Sequence, residues 1–142
     1  MRVVACQWDI AWEDKAVNHA RVRELLAAAA PQRDSLVVLP EMFATGFSMN
    51  VAGITDSRSG ETQRFLAETA ARLGVCLLGG LVTGVADGEG RNEAVLYSPR
   101  GLEAGRYCKI HPYSLAAEGE HFIGGSGLSL LACSEFVLAP FV

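Results

Sequence analysis

Leu36-Val37-Val38-Leu39-Pro40-Glu41-Met42-Phe43-Ala44-Thr45-Gly46-Phe47 is the stretch that decides the fold of this chain. Four consecutive apolar residues, Leu36 to Leu39, predict a buried strand. A carboxylate, Glu41, follows at the strand's carboxyl end, and a glycine-containing loop comes next. In α/β proteins the carboxyl ends of strands are where ligands bind. Glu41 is therefore the first candidate for chemistry.

Upstream, Arg2 to Trp8 is strand-like, and Asp14 is placed to cap a helix. Val22, Leu25, Leu26 and Ala29 fall on one helical face, and Pro31 ends the helix. Ser35 to Leu39 is then the second strand. Strand, helix and strand in that order predict a βαβ unit with parallel strands and a right-handed crossover.

Downstream, Pro40 to Ser59 reads as a long loop, and loops of that length in compact domains are often functional. A helix is predicted from about Gly60 to Leu73, with Leu66, Ala70 and Leu73 inward and Gly74 just past its end. Val75 to Val82 is a third strand, and Ala86 to Gly90 a turn. Asn92 to Tyr97 and Gly105 to Ile110 form a hairpin around Ser98-Pro99-Arg100-Gly101. His111 to Gly127 is a second long loop, and Leu128 to Cys133 and Phe136 to Val142 are two last strands. No repeat or internal boundary interrupts residues 1–142, so they read as one α/β domain with helices covering a mixed sheet.

Half of the 142 residues are hydrophobic, which disfavours disorder and suits a sheet covered on both faces. The net charge is −4, with Lys and Arg scattered along the chain. A nucleic-acid surface needs a basic stripe, so no nucleic-acid partner is expected. No apolar run approaches the roughly 18 residues of a membrane span, and no membrane partner is expected. There is no charged-then-apolar leader at the N-terminus. Of the four cysteines, Cys6, Cys76 and Cys133 lie in apolar strand-like runs, and Cys108 adjoins Lys109. No C-x-x-C pair occurs. The plain reading is free buried thiols in a reducing cytoplasm.

Glu41 admits two readings. Flanked by Pro40 and Met42, it would be partly desolvated, which raises a carboxyl pKa and suits a general base. It equally suits a capping or salt-bridging glutamate. Lys109, in Gly105-Arg106-Tyr107-Cys108-Lys109-Ile110-His111-Pro112, would hold positive charge near a developing oxyanion, or guard a sheet edge. His111, His121, Cys108 and Glu118 match no metal-ligand spacing, so no metal site is assigned.

Taken together, the motifs resemble those of the nitrilase superfamily, the carbon–nitrogen hydrolases. Leu39-Pro40-Glu41-Met42-Phe43 with Gly46-Phe47 is similar to its glutamate motif, and Tyr107-Cys108-Lys109-Ile110-His111 to its lysine motif. Arg91-Asn92-Glu93-Ala94-Val95 followed by Gly101 resembles the Asn-containing strand and turn that lead into that lysine. Glu118, with Phe122 four residues on and Gly125 seven on, resembles the second glutamate segment; Glu120 competes for that place but lacks the aromatic and the glycine. Val4-Ala5-Cys6-Gln7 fits the first strand.

The resemblance implies an α-β-β-α sandwich and a Glu-Lys-Cys mechanism. Glu41 would take the thiol's proton, Lys109 would stabilise the tetrahedral intermediate and Glu118 would position the pair. Phe47 and His111 would contact substrate. The spacing from Lys109 to Glu118 and the His-Pro-Tyr-Ser run are most like the omega-amidase-like branch, which implies a small amide as substrate. The resemblance implies no cofactor, and a homo-oligomer when the full domain is present. The family's nucleophilic cysteine is expected further on: Cys133 lacks the usual Cys-aromatic-Asp-x-Arg context, and Cys108 should face away from Lys109. Residues 1–142 are thus expected to be the N-terminal part of the domain, truncated before the nucleophile. The alternative is a catalytically inactive remnant or pseudoenzyme that binds small amides or a full-length partner.

Overall fold

The computed structural model describes every residue except Met1, Arg58, Ala86, Asp87 and Val142. Five strands form one sheet in the order β1-β2-β3-β4-β5. They are β1 (Val3–Ala5), β2 (Leu36–Val38), β3 (Cys76–Gly84), β4 (Gly90–Tyr97) and β5 (Glu103–Cys108). β1, β2 and β3 run parallel, whereas β3–β4 and β4–β5 are antiparallel. The βαβ unit and the hairpin expected from the sequence are both present. The strands themselves are shorter at the N-terminus than expected, because Cys6 to Trp8 leaves the ladder after Cys6 donates to the Val38 carbonyl.

Two helices, α1 (Lys15–Ala29) and α3 (Glu61–Leu73), cover one face of the sheet. Asp14 caps α1, its carboxylate accepting from the Val17 N–H at 3.0 Å. α1 stops at Ala30, already left-handed, one residue before Pro31. α3 ends at Gly74, as expected. Val22, Leu26, Phe65, Leu66 and Ala70 from the helices meet Val37, Leu77, Val95 and Tyr97 from the sheet, all essentially buried.

The buried face of α1 departs from the expected one. Leu25 is only half-buried and Ala29 is exposed, while Asn18 and His19 are buried beside Val22 and Leu26. Asn18 is inside because it ties two loops: its amide donates to the Ala11 and Ala44 carbonyls at 2.7 and 2.8 Å, and its oxygen accepts from the Ala11 N–H at 2.9 Å. A buried amide with that many partners is satisfied.

The loop after β2 contains a short helix, α2 (Val51–Ile54), that the sequence reading did not anticipate. Part of the expected Ala86–Gly90 turn, Ala86 and Asp87, lies outside the described residues. The last two strands, β6 (Leu131–Cys133) and β7 (Phe136–Leu138), are shorter than expected and form a separate two-stranded antiparallel sheet. Val142, the last residue of the expected second strand, also lies outside the described residues. Leu131, Cys133 and Phe136 pack on Leu36, Cys76 and Leu96, on the sheet face opposite the helices. The layers are therefore helix, sheet and second sheet, an α/β architecture.

This packing corrects the cysteine expectation. Cys76 and Cys133 are not free thiols but form a disulfide, because the small sheet carries β6 onto the start of β3 and leaves the two Cα atoms 6.1 Å apart. Cys6 and Cys108 are free. The thiol-based argument for a reducing compartment loses its ground with that pairing. Among the described residues no helix is long and apolar enough to cross a membrane.

Candidate active site

Along β4, Asn92, Ala94 and Leu96 share one face of the sheet, and the alternate residues Val95 and Tyr97 enter the helix-side core. On β5 the same alternation sends Tyr107 and Lys109 to the face of Asn92, and Arg106 and Cys108 to the other. Arg106 accordingly pairs with Glu93 at 2.7 Å on the helix side. Cys108 lines a small cavity with Arg91 and Ser126, facing away from Lys109 as expected.

Two loops bring three charged residues to that face. Glu41 follows β2, where Leu39 still bonds the Leu78 carbonyl and Phe43 bonds the Gly80 carbonyl, so the backbone is held to β3 on both sides of Glu41. Lys109 follows β5 and donates its N–H to the Asn92 carbonyl at 2.9 Å. Glu118 sits in a 3-10 turn, Glu118–Glu120, within the loop after Lys109. That loop is anchored by Gly125, whose N–H bonds the Lys109 carbonyl at 2.8 Å. A Cβ at Gly125 would stand 2.4 Å from the Cys108 carbonyl oxygen, so only glycine permits this approach. Phe122, buried among Met42, Val51, Ile54 and Val82, pins the turn from below.

The side chains meet in a closed pattern. Lys109 Nζ lies 2.9 Å from Glu41 Oε1 and 2.9 Å from Glu118 Oε2. Asn92 Nδ2 donates to Glu41 Oε1 at 2.6 Å and to Glu118 Oε1 at 2.9 Å. The Tyr113 N–H donates to Glu118 Oε2 at 2.5 Å. Glu118 is fully buried and Lys109 nearly so, whereas a third of the Glu41 side chain is open to solvent. Glu41 Oε2 accepts no hydrogen bond from the described residues.

Burial alone would push the Glu118 carboxyl up. The hydrogen bonds from Asn92, the Tyr113 N–H and Lys109, with the lysine's charge, outweigh it and hold the pKa below the ordinary glutamate value. Burial would likewise lower the Lys109 ammonium, and the bonds and charges of Glu118 and Glu41 reverse it, so its pKa is raised. Both groups are thus held ionised.

Of the residues expected at the site, Glu41, Lys109 and Glu118 are brought into direct contact. Phe47 places its ring 5.1 Å from Lys109 Nζ, a cation–π distance. His111 is exposed on the rim of the same cleft, about 600 Å³ in volume, which Glu41, Phe47, Lys109, Tyr113 and Ser114 also line. Glu120, the competing glutamate, is exposed. A second cavity of about 340 Å³ opens on the other side of Glu41, between Leu78, Ala94 and Phe141. No cysteine lines either cavity among the described residues. Asn92, part of the strand motif that leads into Lys109, carries no role that its sequence context alone assigns. The signal for it was one amide on a strand face otherwise carrying Ala94 and Leu96, at the end where Lys109 emerges.

Residues 2–127 match the model of the carbon-nitrogen hydrolase family. The chain belongs to that family. Similar carbon–nitrogen hydrolases include omega-amidase YafV of Yersinia enterocolitica, 32% identical over 144 residues, covering all of this chain and 54% of that protein. Omega-amidase NIT2 of Danio rerio is 33% identical over 110 residues, 75% of this chain and 39% of that protein. In structure, the chain resembles XC1258 from Xanthomonas campestris, described as a CN-hydrolase superfamily protein with an arsenic adduct in its active site. The TM-score is 0.88 at 28% identity, over 99% of this chain and 52% of that one. This carbon–nitrogen hydrolase chain spans about half the length of the curated relatives it matches.

Proposed function

We propose that this chain supplies the carboxylate–lysine part of a thiol-dependent amidase whose substrates are small amides, omega-amidase-like in class. One observation carries the reading: a lysine ammonium 2.9 Å from each of two carboxylates, one of which, Glu41, lines an open cleft. Similarity to two omega-amidases supports the substrate class.

In this reading each group answers a chemical need. A thiol with a pKa of about 8.5 is mostly protonated at neutral pH and needs a base. Glu41 takes that proton, and the sulfur attacks the amide carbon. The carbonyl oxygen gathers negative charge, and Lys109, held cationic and desolvated, stabilises it. Ammonia leaves with the proton Glu41 returns, and a thioester remains. Glu41 then takes a proton from water, whose oxygen attacks the thioester, and returns that proton to the leaving sulfur, which frees the acid and restores the thiol. Glu118 holds Lys109 from behind, and Phe47 and His111 contact the substrate.

The reading takes its thiol from beyond the described residues, since Cys6 and Cys108 lie off the cleft and Cys76 is bonded to Cys133. The 142-residue chain alone is accordingly expected to release no ammonia. The test is ammonia release by the full-length protein from monoamides of short dicarboxylic acids, with Glu41→Gln alongside. Turnover reduced at least about 100-fold in Glu41→Gln supports the reading. Amide binding without turnover would overturn it and favour a non-catalytic binder. Light scattering on the same sample tests the homo-oligomer that the family resemblance implies.

A further inference from the structure

We infer that Asn92 is a positioning residue that decides which oxygen of Glu41 takes the proton. The inference rests on the amidase reading above and deepens it. Asn92 is 3% exposed and reaches every charged member of the site. Its Nδ2 bonds Glu41 Oε1 and Glu118 Oε1, and its backbone carbonyl accepts the Lys109 N–H. Two carboxylates that would repel each other are thus drawn to one neutral amide, which adds no charge to compete with Lys109.

The consequence lies in Glu41. Oε1 accepts both the Asn92 amide at 2.6 Å and the Lys109 ammonium at 2.9 Å. Two donors draw electron density from Oε1 and fill its lone-pair directions. Oε2 is left as the proton-accepting oxygen, and the side chain cannot swing to exchange the two without breaking both bonds. In the transfer, the S–H bond of the attacking thiol breaks with its electron pair kept on sulfur, and an O–H bond forms at Oε2. Lysine alone would fix the distance to Glu41. The second donor fixes the rotation of the carboxylate, because two donors on one oxygen define its plane.

The neighbourhood argues against a packing role. Asn92 shares its strand face with Ala94 and Leu96, and an apolar side chain would fill the same volume without desolvating an amide. A buried amide is retained where its hydrogen bonds are used.

The test compares Asn92→Ala and the isosteric Asn92→Asp in the full-length protein. Hydrolysis of a small amide is followed across pH, and the Glu118 carboxyl is titrated by carbon-detected NMR, assigned with Glu118→Gln. In Asn92→Ala, kcat falls about 10- to 100-fold with KM within about twofold, and Glu118 titrates higher than in the wild type. Asn92→Asp keeps the shape and loses the donor once ionised, so its kcat falls as pH rises through the new carboxyl's titration. Wild-type kcat in both variants with an unmoved Glu118 titration overturns the inference while leaving the amidase reading intact. A wild type that hydrolyses no amide, with Glu118 still moved upward in Asn92→Ala, overturns the amidase reading and supports the carboxylate-holding role of Asn92. Where Asn92→Ala does not fold, a flat ratio of Asn92→Asp to wild-type kcat across pH overturns the inference.

Discussion

Gly80 lies directly beneath Glu41: a Cβ at Gly80 would stand 2.7 Å from the Glu41 Cα and 2.7 Å from the Met42 nitrogen. Both contacts are to backbone, which cannot rotate away. Met42 is itself held at a φ of +46°, so the turn after Glu41 has little room to adjust. Gly80→Ala is expected to push the Glu41 segment off β3 and break the 2.9 Å contact with Lys109. The proposed amidase activity should fall about 100-fold, since displacements near 1 Å cost that much. Overpacking should cost about 1–3 kcal/mol of stability. Gly127→Ala, where a Cβ meets nothing within 4 Å, is the control and should leave both unchanged. Steady-state kinetics and urea unfolding on the pair, made in the full-length protein, check it; equal activity in Gly80→Ala and an active wild type would refute it.

Lys109 is also a structural charge. Glu118 is fully buried, and its only cationic partner among the described residues is Lys109. Removing one partner of a buried pair strands the other, at a cost of about 3–5 kcal/mol. Lys109→Met should therefore lower the melting temperature by on the order of 10 °C. Lys109→Met with Glu118→Gln removes the stranded charge and should recover most of the loss. Differential scanning calorimetry decides it, and the prediction fails if the double variant melts no higher than the single one.

His19 sets an acid limit on stability. It is buried on α1, stacked on Phe65 with centroids 4.2 Å apart, and packed against Phe43, two residues past Glu41. Its Nε2 has no hydrogen-bond partner among the described residues, and Nδ1 lies 3.8 Å from Glu61 on α3. Burial is the main cause that depresses its pKa below 6.5; Arg23 and Lys15 add to it, while Glu61 and Asp56 oppose. A folded pKa below the unfolded one means stability is present above the unfolded value and lost as pH falls through the folded value. Each unit of depression is worth about 1.4 kcal/mol. The unfolding free energy should fall between pH 7 and pH 5 in the wild type and stay flatter in His19→Phe. Urea titrations at each pH measure it; identical slopes would exclude His19 as the cause.

What the sequence made legible was local. Asp14, Gly74 and the Ser98–Gly101 bend act on neighbouring backbone, so their chemistry is visible in a short window. Glu41 and Lys109 were legible because each stands where a strand ends. The rest depends on distant partners. Asn18 and His19 look like a polar break in the α1 pattern until the loops they tie or face are known. Asn92 reads as an ordinary polar strand residue until β4 is seen to pass between two carboxylates. The separation of β6 and β7 into their own sheet follows from which sheet face still needed covering, a tertiary fact that no strand carries in its own residues.

The pairing of Cys76 with Cys133 follows from that same placement and is open to a direct check. The bond joins the start of β3 to the end of β6 across the cluster of Leu36, Leu96, Leu131 and Phe136, and it closes a loop with a sequence separation of 57. A closed loop of that length removes disorder from the unfolded chain, which stabilises the fold by up to about 4 kcal/mol. The denatured 142-residue chain treated with iodoacetamide should take up two labels, on Cys6 and Cys108, and four after reduction. Reduction, or Cys133→Ser, should lower the melting temperature by on the order of 10 °C, because the β6–β7 hairpin then loses its covalent tie to β3. Reduced Cys133→Ser should match reduced wild type, since the bond is already gone in both. Four labels without reductant would mean that the two thiols are free and that the second sheet keeps its place without the bond.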